Sequence, residues 1–207
     1  MVLLVACLGN PGSAYQRNRH NVGFMVGDRL RERMPDVPPW REKFSGVFTK
    51  GRLAGSNGKS DDVVLLKPMT YMNLSGHSVQ KALAFFQLDK SALVVVHDEL
   101  DLSFGAVRVK SGGGAAGHNG IRSIIEQLGS PDFVRVRIGI GRPTHGTVES
   151  YVLADFDPEQ RIELPNVIDR AVEAVESIAA DGLTAAMNKI NPREGTPAKK
   201  ARAARAG

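Results

Sequence analysis

The sequence has almost no cysteine. Cys7 stands alone, which excludes an intramolecular disulfide and a thiolate zinc cluster. Long apolar runs are missing too. Val2–Leu8 is seven residues long with no basic segment before it, too short for a secretory signal or a membrane span. The expectation is a cytoplasmic protein without membrane association. Nucleotide-loop fingerprints are absent: Gly9-Asn10-Pro11-Gly12 lacks Gly-x-Gly-x-x-Gly, and no Gly-x-x-x-x-Gly-Lys-Ser/Thr occurs. No serine sits in a Gly-x-Ser-x-Gly elbow.

What is present is globular in character. Hydrophobic residues make up 42% and charged residues 24% of 207. That excludes collagen, coiled coil and wholesale disorder, and supports one domain with a core. The net charge of +5 points at first to a polyanionic partner. Its distribution narrows this. Residues 192–207 hold five basic groups and one acidic group, leaving 22 against 21 in residues 1–191. A nucleic-acid site on the body must therefore come from placed cations. The tail is Pro, Gly, Ala, Lys and Arg, a composition that predicts disorder.

Strand and helix signals alternate. Val2–Leu8 reads as a buried strand entering a forced turn. Asn21 is placed to cap a helix over residues 22–34. Strands are predicted over 45–54 and 63–67, a helix over 75–86, and a strand over 92–97. A half-exposed strand over 106–110 precedes the run Gly112-Gly113-Gly114. A helix starts near 117–119, and Val134–Ile140 alternates as a strand with one polar face. Helices over 158–180 and 183–190 close the body. The fold class is α/β: a single domain over 1–191 with a twisted, mostly parallel mixed sheet and helices on both faces. In such sheets, sites form beyond the carboxyl ends of strands.

Asn10, Met72-Asn73, His97-Asp98 and His118-Asn119 all fall at strand exits or helix starts. His20 alone reads as an exposed capping segment. With Asp98 to orient it, His20 becomes a general base. Asn10, Asn73 and Asn119 supply neutral donors and acceptors for a carbonyl and a water. His97-Asp98-Glu99 lacks a histidine pair at metal-ligand spacing, so no metal is expected. Lys110 and Arg137 read singly as surface charges and together as a phosphate clamp. The Gly112–Gly117 run reads as an anion cradle, a lid or a linker.

These motifs together resemble a known family. Leu8-Gly9-Asn10-Pro11-Gly12, Arg19-His20-Asn21-Val22-Gly23, Tyr71-Met72-Asn73-Leu74-Ser75-Gly76, His97 to Leu102, Gly117-His118-Asn119-Gly120 and Arg135 to Gly141 resemble, in order, bacterial peptidyl-tRNA hydrolase. The resemblance covers about residues 1–190. It implies hydrolysis of the ester between a peptide and the tRNA 3′ end, by a monomer without cofactor or metal. It implies that His20 activates water and Asp98 orients it, with Asn10, Asn73 and Asn119 holding substrate or water. Tyr71, Met72 and His118 are expected in the substrate cleft, and Lys110 and Arg137 on the tRNA 5′ phosphate. One departure stands out: Ala116 replaces a glycine of the family's loop, which costs about 1 kcal/mol or more if that position needs positive φ. A noncatalytic RNA-binding relative and a small-anion binder are the other readings. The first has no need of the His20–Asp98–Asn set, and the second misses the usual glycine fingerprints.

Overall fold

The computed structural model describes residues 2–35, 37–54 and 60–191. The tail expectation lies outside them. In chain order the elements are β1 (Val2–Cys7), α1 (Val22–Glu32), β2 (Arg41–Lys43), β3 (Gly46–Ala54), β4 (Ser60–Pro68), α2 (Ser75–Phe86), β5 (Leu93–Glu99), β6 (Val107–Ser111), α3 (Asn119–Leu128), β7 (Val134–Gly139), α4 (Val148–Val152), α5 (Pro158–Asp181) and α6 (Leu183–Ile190). One seven-stranded sheet runs β2-β3-β4-β1-β5-β7-β6. Its central four strands are parallel, and β2, β3 and β6 join antiparallel at the edges.

Side-chain alternation divides the core in two. Leu3, Val5 and Cys7 of β1 pack with Val26, Leu30 and the α5 residues Val172 and Val175. Leu4 and Ala6 pack on the other face with Val79 and Leu83 of α2 and Ile121 and Ile124 of α3. β1 is buried on both faces, which is why its sequence is a continuous apolar run rather than an alternating one. Cys7 sits inside it, and burial pushes its thiol up to about 12, leaving it inert.

Three readings change on contact with the fold. Asn21 makes no side-chain cap on α1; its Oδ1 accepts from the Asn10 amide and its Nδ2 donates to the Asn10 carbonyl, both at 2.9 Å. It therefore ties the His20 turn to the loop after β1. β5 runs on to Glu99, so Asp98 lies within the strand rather than just past the end expected at residue 97. The polar face expected for β7 is half covered: Arg135 is buried, donating to the Gly113 and Gly114 carbonyls and stacking over Phe133. β2 and α4 have no counterpart in the predicted elements.

Gly23 explains the packing of α1. A Cβ there would lie 2.4 Å from the Leu8 carbonyl oxygen and 2.6 Å from that of Val96. Only glycine lets the helix start press onto the ends of β1 and β5, which carries His20 to the sheet rim.

Candidate active site

A cleft of about 690 Å³ opens over the carboxyl ends of β1 and β5. Asn10, His20, Met72, Asn73, Asp98, His118 and Asn119 all border it. These seven expected residues are thus brought together from five separate stretches of chain.

His20 and Asp98 are buried, against the exposed capping segment that the local sequence suggests for His20. The His20 Nδ1–H donates to Asp98 Oδ1 at 2.8 Å, leaving Nε2 as the basic nitrogen. His118 Nε2 lies 3.0 Å from the same oxygen. Its tautomer follows from its other nitrogen. Nδ1 accepts from the backbone amides of Gly120 (3.1 Å) and Ile121 (3.3 Å) at the start of α3, so the ring proton must sit on Nε2 and point at Asp98. His118 is therefore both helix cap and second anchor of the carboxylate.

The titration behaviour follows. Burial disfavours the charged forms of both His20 and Asp98. For His20 the charge and hydrogen bond of Asp98 outweigh burial and raise its pKa above the ordinary histidine value. For Asp98 the facing His20 and His118 outweigh burial and hold the carboxyl well below the usual carboxylate range. His97 behaves in the opposite way. Burial first, then the neighbouring His118, depresses it well below the usual range. Its Nδ1 donates to the Asp98 carbonyl at 2.7 Å, and it faces the sheet side opposite Asp98.

His20, Asp98 and His118 place one ligand atom each within 4.8 Å of one another, the group among the described residues that could hold a metal ion. The hydrogen bonding opposes that role. His118 Nε2 carries a proton toward Asp98 and has no lone pair to give, because Nδ1 is committed to α3.

The asparagines differ in freedom. Asn10 is buried; its Oδ1 accepts from the Met72 amide at 2.8 Å, which leaves Nδ2 as its donor end. Asn73 is exposed on the cleft wall. Asn119 opens α3 and accepts from Arg122 at 3.4 Å. His118 already occupies the Gly120 and Ile121 amides, while the side-chain amides of Asn10, Asn73 and Asn119 border the cleft as groups able to donate to a carbonyl oxygen.

Tyr71 is 61% exposed and does not border the cleft. Lys110 and Arg137 border an adjoining cavity of about 290 Å³, which shares Glu99 and Ala116 with the cleft. Arg137 is held there by Glu99 at 2.9 Å, and Arg135 and His97 complete the wall. Val148, Glu149, Val152 and Leu153 also border the cleft, and no sequence motif marks them. The apolar spacing Val148 to Val152 was the available signal.

Ala116 adopts φ 48°, the left-handed region. Ala116→Gly is expected to stabilise the fold by about 1 kcal/mol or less, since glycine removes the Cβ strain but gains unfolded-state entropy. Urea denaturation of the two proteins measures it.

A family model described as "Peptidyl-tRNA hydrolase" matches residues 4–200. The peptidyl-tRNA hydrolase of Sorangium cellulosum is 53% identical over 93% of this chain and 85% of its own length. That of Geotalea uraniireducens is 49% identical over 93% of this chain and 98% of its own. Among solved structures, peptidyl-tRNA hydrolase from Acinetobacter baumannii superposes with a TM-score of 0.82 at 38% identity, covering 92% of this chain and 94% of that one.

Proposed function

Since the chain belongs to the peptidyl-tRNA hydrolase family and hydrolyses peptidyl-tRNA, we propose that His20 is the general base that draws a proton from water as the water attacks the ester carbonyl. The observation that carries this is the His20 Nδ1–Asp98 Oδ1 hydrogen bond in a cleft bordered by three asparagines. As water attacks, His20 Nε2 takes its proton, and the imidazolium forms beside a carboxylate already aligned to hold it. His118 keeps that carboxylate in place through its fixed Nε2–H. The carbonyl oxygen gains negative charge, and the Asn10 and Asn73 amides are its donors. When the tetrahedral intermediate collapses, His20 returns the proton to the departing ribose oxygen. No covalent enzyme intermediate is required.

The buried cluster works by hydrogen bonds rather than by coordination, because His118 has no free lone pair. Activity is therefore expected to survive chelator treatment and dialysis unchanged. The asparagines recognise a peptide amide next to the ester, which separates peptidyl-tRNA from an aminoacyl-tRNA with a free ammonium group.

The tRNA is held at its acceptor end, with Lys110 and Arg137 on the 5′ phosphate. Glu99 fixes the Arg137 guanidinium for that contact. Lys110→Ala and Arg137→Ala are expected to raise KM about 10-fold each with little change in kcat, in line with the loss of a charge-assisted contact. The increase should vanish on tRNA stripped of its 5′ phosphate; an equal rise on both substrates would remove these residues from that role. The reading also expects a monomer acting in the cytoplasm. Among the described residues, no helix is long and apolar enough to cross a membrane. The direct test of function is release of free tRNA from N-acetylaminoacyl-tRNA but not from the unblocked form.

A further inference from the structure

The catalytic cleft is one of a row of hollows along the sheet rim. On the β7–β6 side it adjoins the cavity bordered by Lys110, Arg135 and Arg137. On the β4–β3 side it meets a second hollow of about 390 Å³, with Asn10 as the shared wall. Phe24, Met25, Val47 and Met69 give that hollow its apolar surface. Val47 and Met69 then continue into a shallower hollow over the β2–β3 turn.

The two directions differ in charge. The Lys110 side presents three cations against one carboxylate, Glu99. The Met69 side is balanced. Lys67 is paired with Asp28 at 2.7 Å and lies over the Phe24 and Trp40 rings, while Lys43 is offset by Glu42. A substrate that is polyanionic at one end and peptide at the other has one favourable way to lie across such a rim: phosphates toward the cations, peptide along the charge-balanced hollows, where Met25, Val47 and Met69 offer apolar contact beside the polar Ser13, Gln16 and Ser45. The hinge between the two is the amide next to the ester, which falls at Asn10. That residue borders both hollows, and its Nδ2 is the end not used on Met72.

We propose, resting on the reading above, that the hollows bordered by Met25, Val47 and Met69 form a subsite for the peptide residues upstream of the ester. Longer peptides are then bound through apolar side-chain contacts there. The hollows impose size and polarity but no fixed sequence, because Met25 and Met69 are adaptable thioethers.

Two experiments test this. The first compares kcat/KM for N-acetylaminoacyl-tRNA and pentapeptidyl-tRNA with apolar residues upstream. The wild-type ratio is expected to be about 10 or more, the discrimination typical of one or two buried apolar contacts. Met69→Asp, a change at a residue 43% exposed, should bring the ratio toward 1. A wild-type ratio near 1, or a ratio unchanged by Met69→Asp, overturns the subsite. Failure to cleave either substrate would instead overturn the hydrolase reading beneath it. The second experiment needs no destabilising change. A peptidyl-tRNA carrying benzoylphenylalanine two residues upstream is photolysed on His20→Ala protein. Adducts are expected on Met25 or Met69, and adducts on Arg122 or Val148 would place the peptide on the opposite wall.

Discussion

His20→Ala is expected to lower kcat by about 10²–10⁴-fold while KM stays within about threefold of wild type. Positioned general-base catalysis contributes in that range. The residue borders the cleft and makes its one strong contact, at 2.8 Å, with Asp98. Truncation therefore removes proton transfer without removing groups proposed to hold tRNA. Steady-state hydrolysis of N-acetylaminoacyl-tRNA, with thermal unfolding to confirm a folded variant, checks it. A matching fall in kcat/KM with KM unchanged identifies an interaction made in the transition state. An equal rate in the two proteins would remove His20 from the mechanism.

Asp98→Asn is the second large effect, expected to lower kcat about 10²-fold or more. An amide oxygen can still accept both imidazole N–H groups, so the variant removes charge while keeping shape. The nascent imidazolium then loses its counter-ion inside a buried site, where burial alone disfavours it. Asp98→Ala goes further. It leaves the N–H groups of His20 and His118 without a partner, at about 1–3 kcal/mol of stability for each buried unsatisfied group.

Stability should carry a pH signature of the same pair. The depressed Asp98 pKa contributes stability above the unfolded carboxyl value of 3.8, lost as pH falls through the folded one. The raised His20 pKa contributes stability below the unfolded value of 6.5, lost as pH rises through the folded one. The stability difference between wild type and Asp98→Asn is therefore expected to be largest near pH 5 and to shrink on either side. Urea melts at three pH values measure it.

Much of the site was legible because its residues sit where local signals are strong. Asn10 follows an apolar run that could only be a strand. Asp98 ends another, and His118-Asn119 follows a glycine run that had to precede a helix. The alternation of strands and helices then implied a common rim. What was not legible depends on contacts between distant residues. Asn21 resembles a helix cap, but Asn10, eleven residues away, claims its amide. Arg135 reads as surface because alternation in β7 says nothing of the glycine loop that folds over it. The separation of Lys110 and Arg137 from the cleft follows from strand order, β6 and β7 lying beyond β5. Tyr71 shares a motif with Met72 and Asn73, yet its side chain turns outward. The glycine loop's Ala116 was readable as a conditional strain, and its φ of 48° meets the condition.

The central claim is that His20, charged-state-tuned by Asp98, takes the proton from water. The pH dependence of kcat tests it most directly, measured on wild type beside Asp98→Asn. The account predicts that wild-type kcat falls on the acid side through a single ionisation above the ordinary histidine value, and that Asp98→Asn moves this limb to lower pH. A wild-type profile flat through that range, or a limb that Asp98→Asn leaves in place, would contradict it.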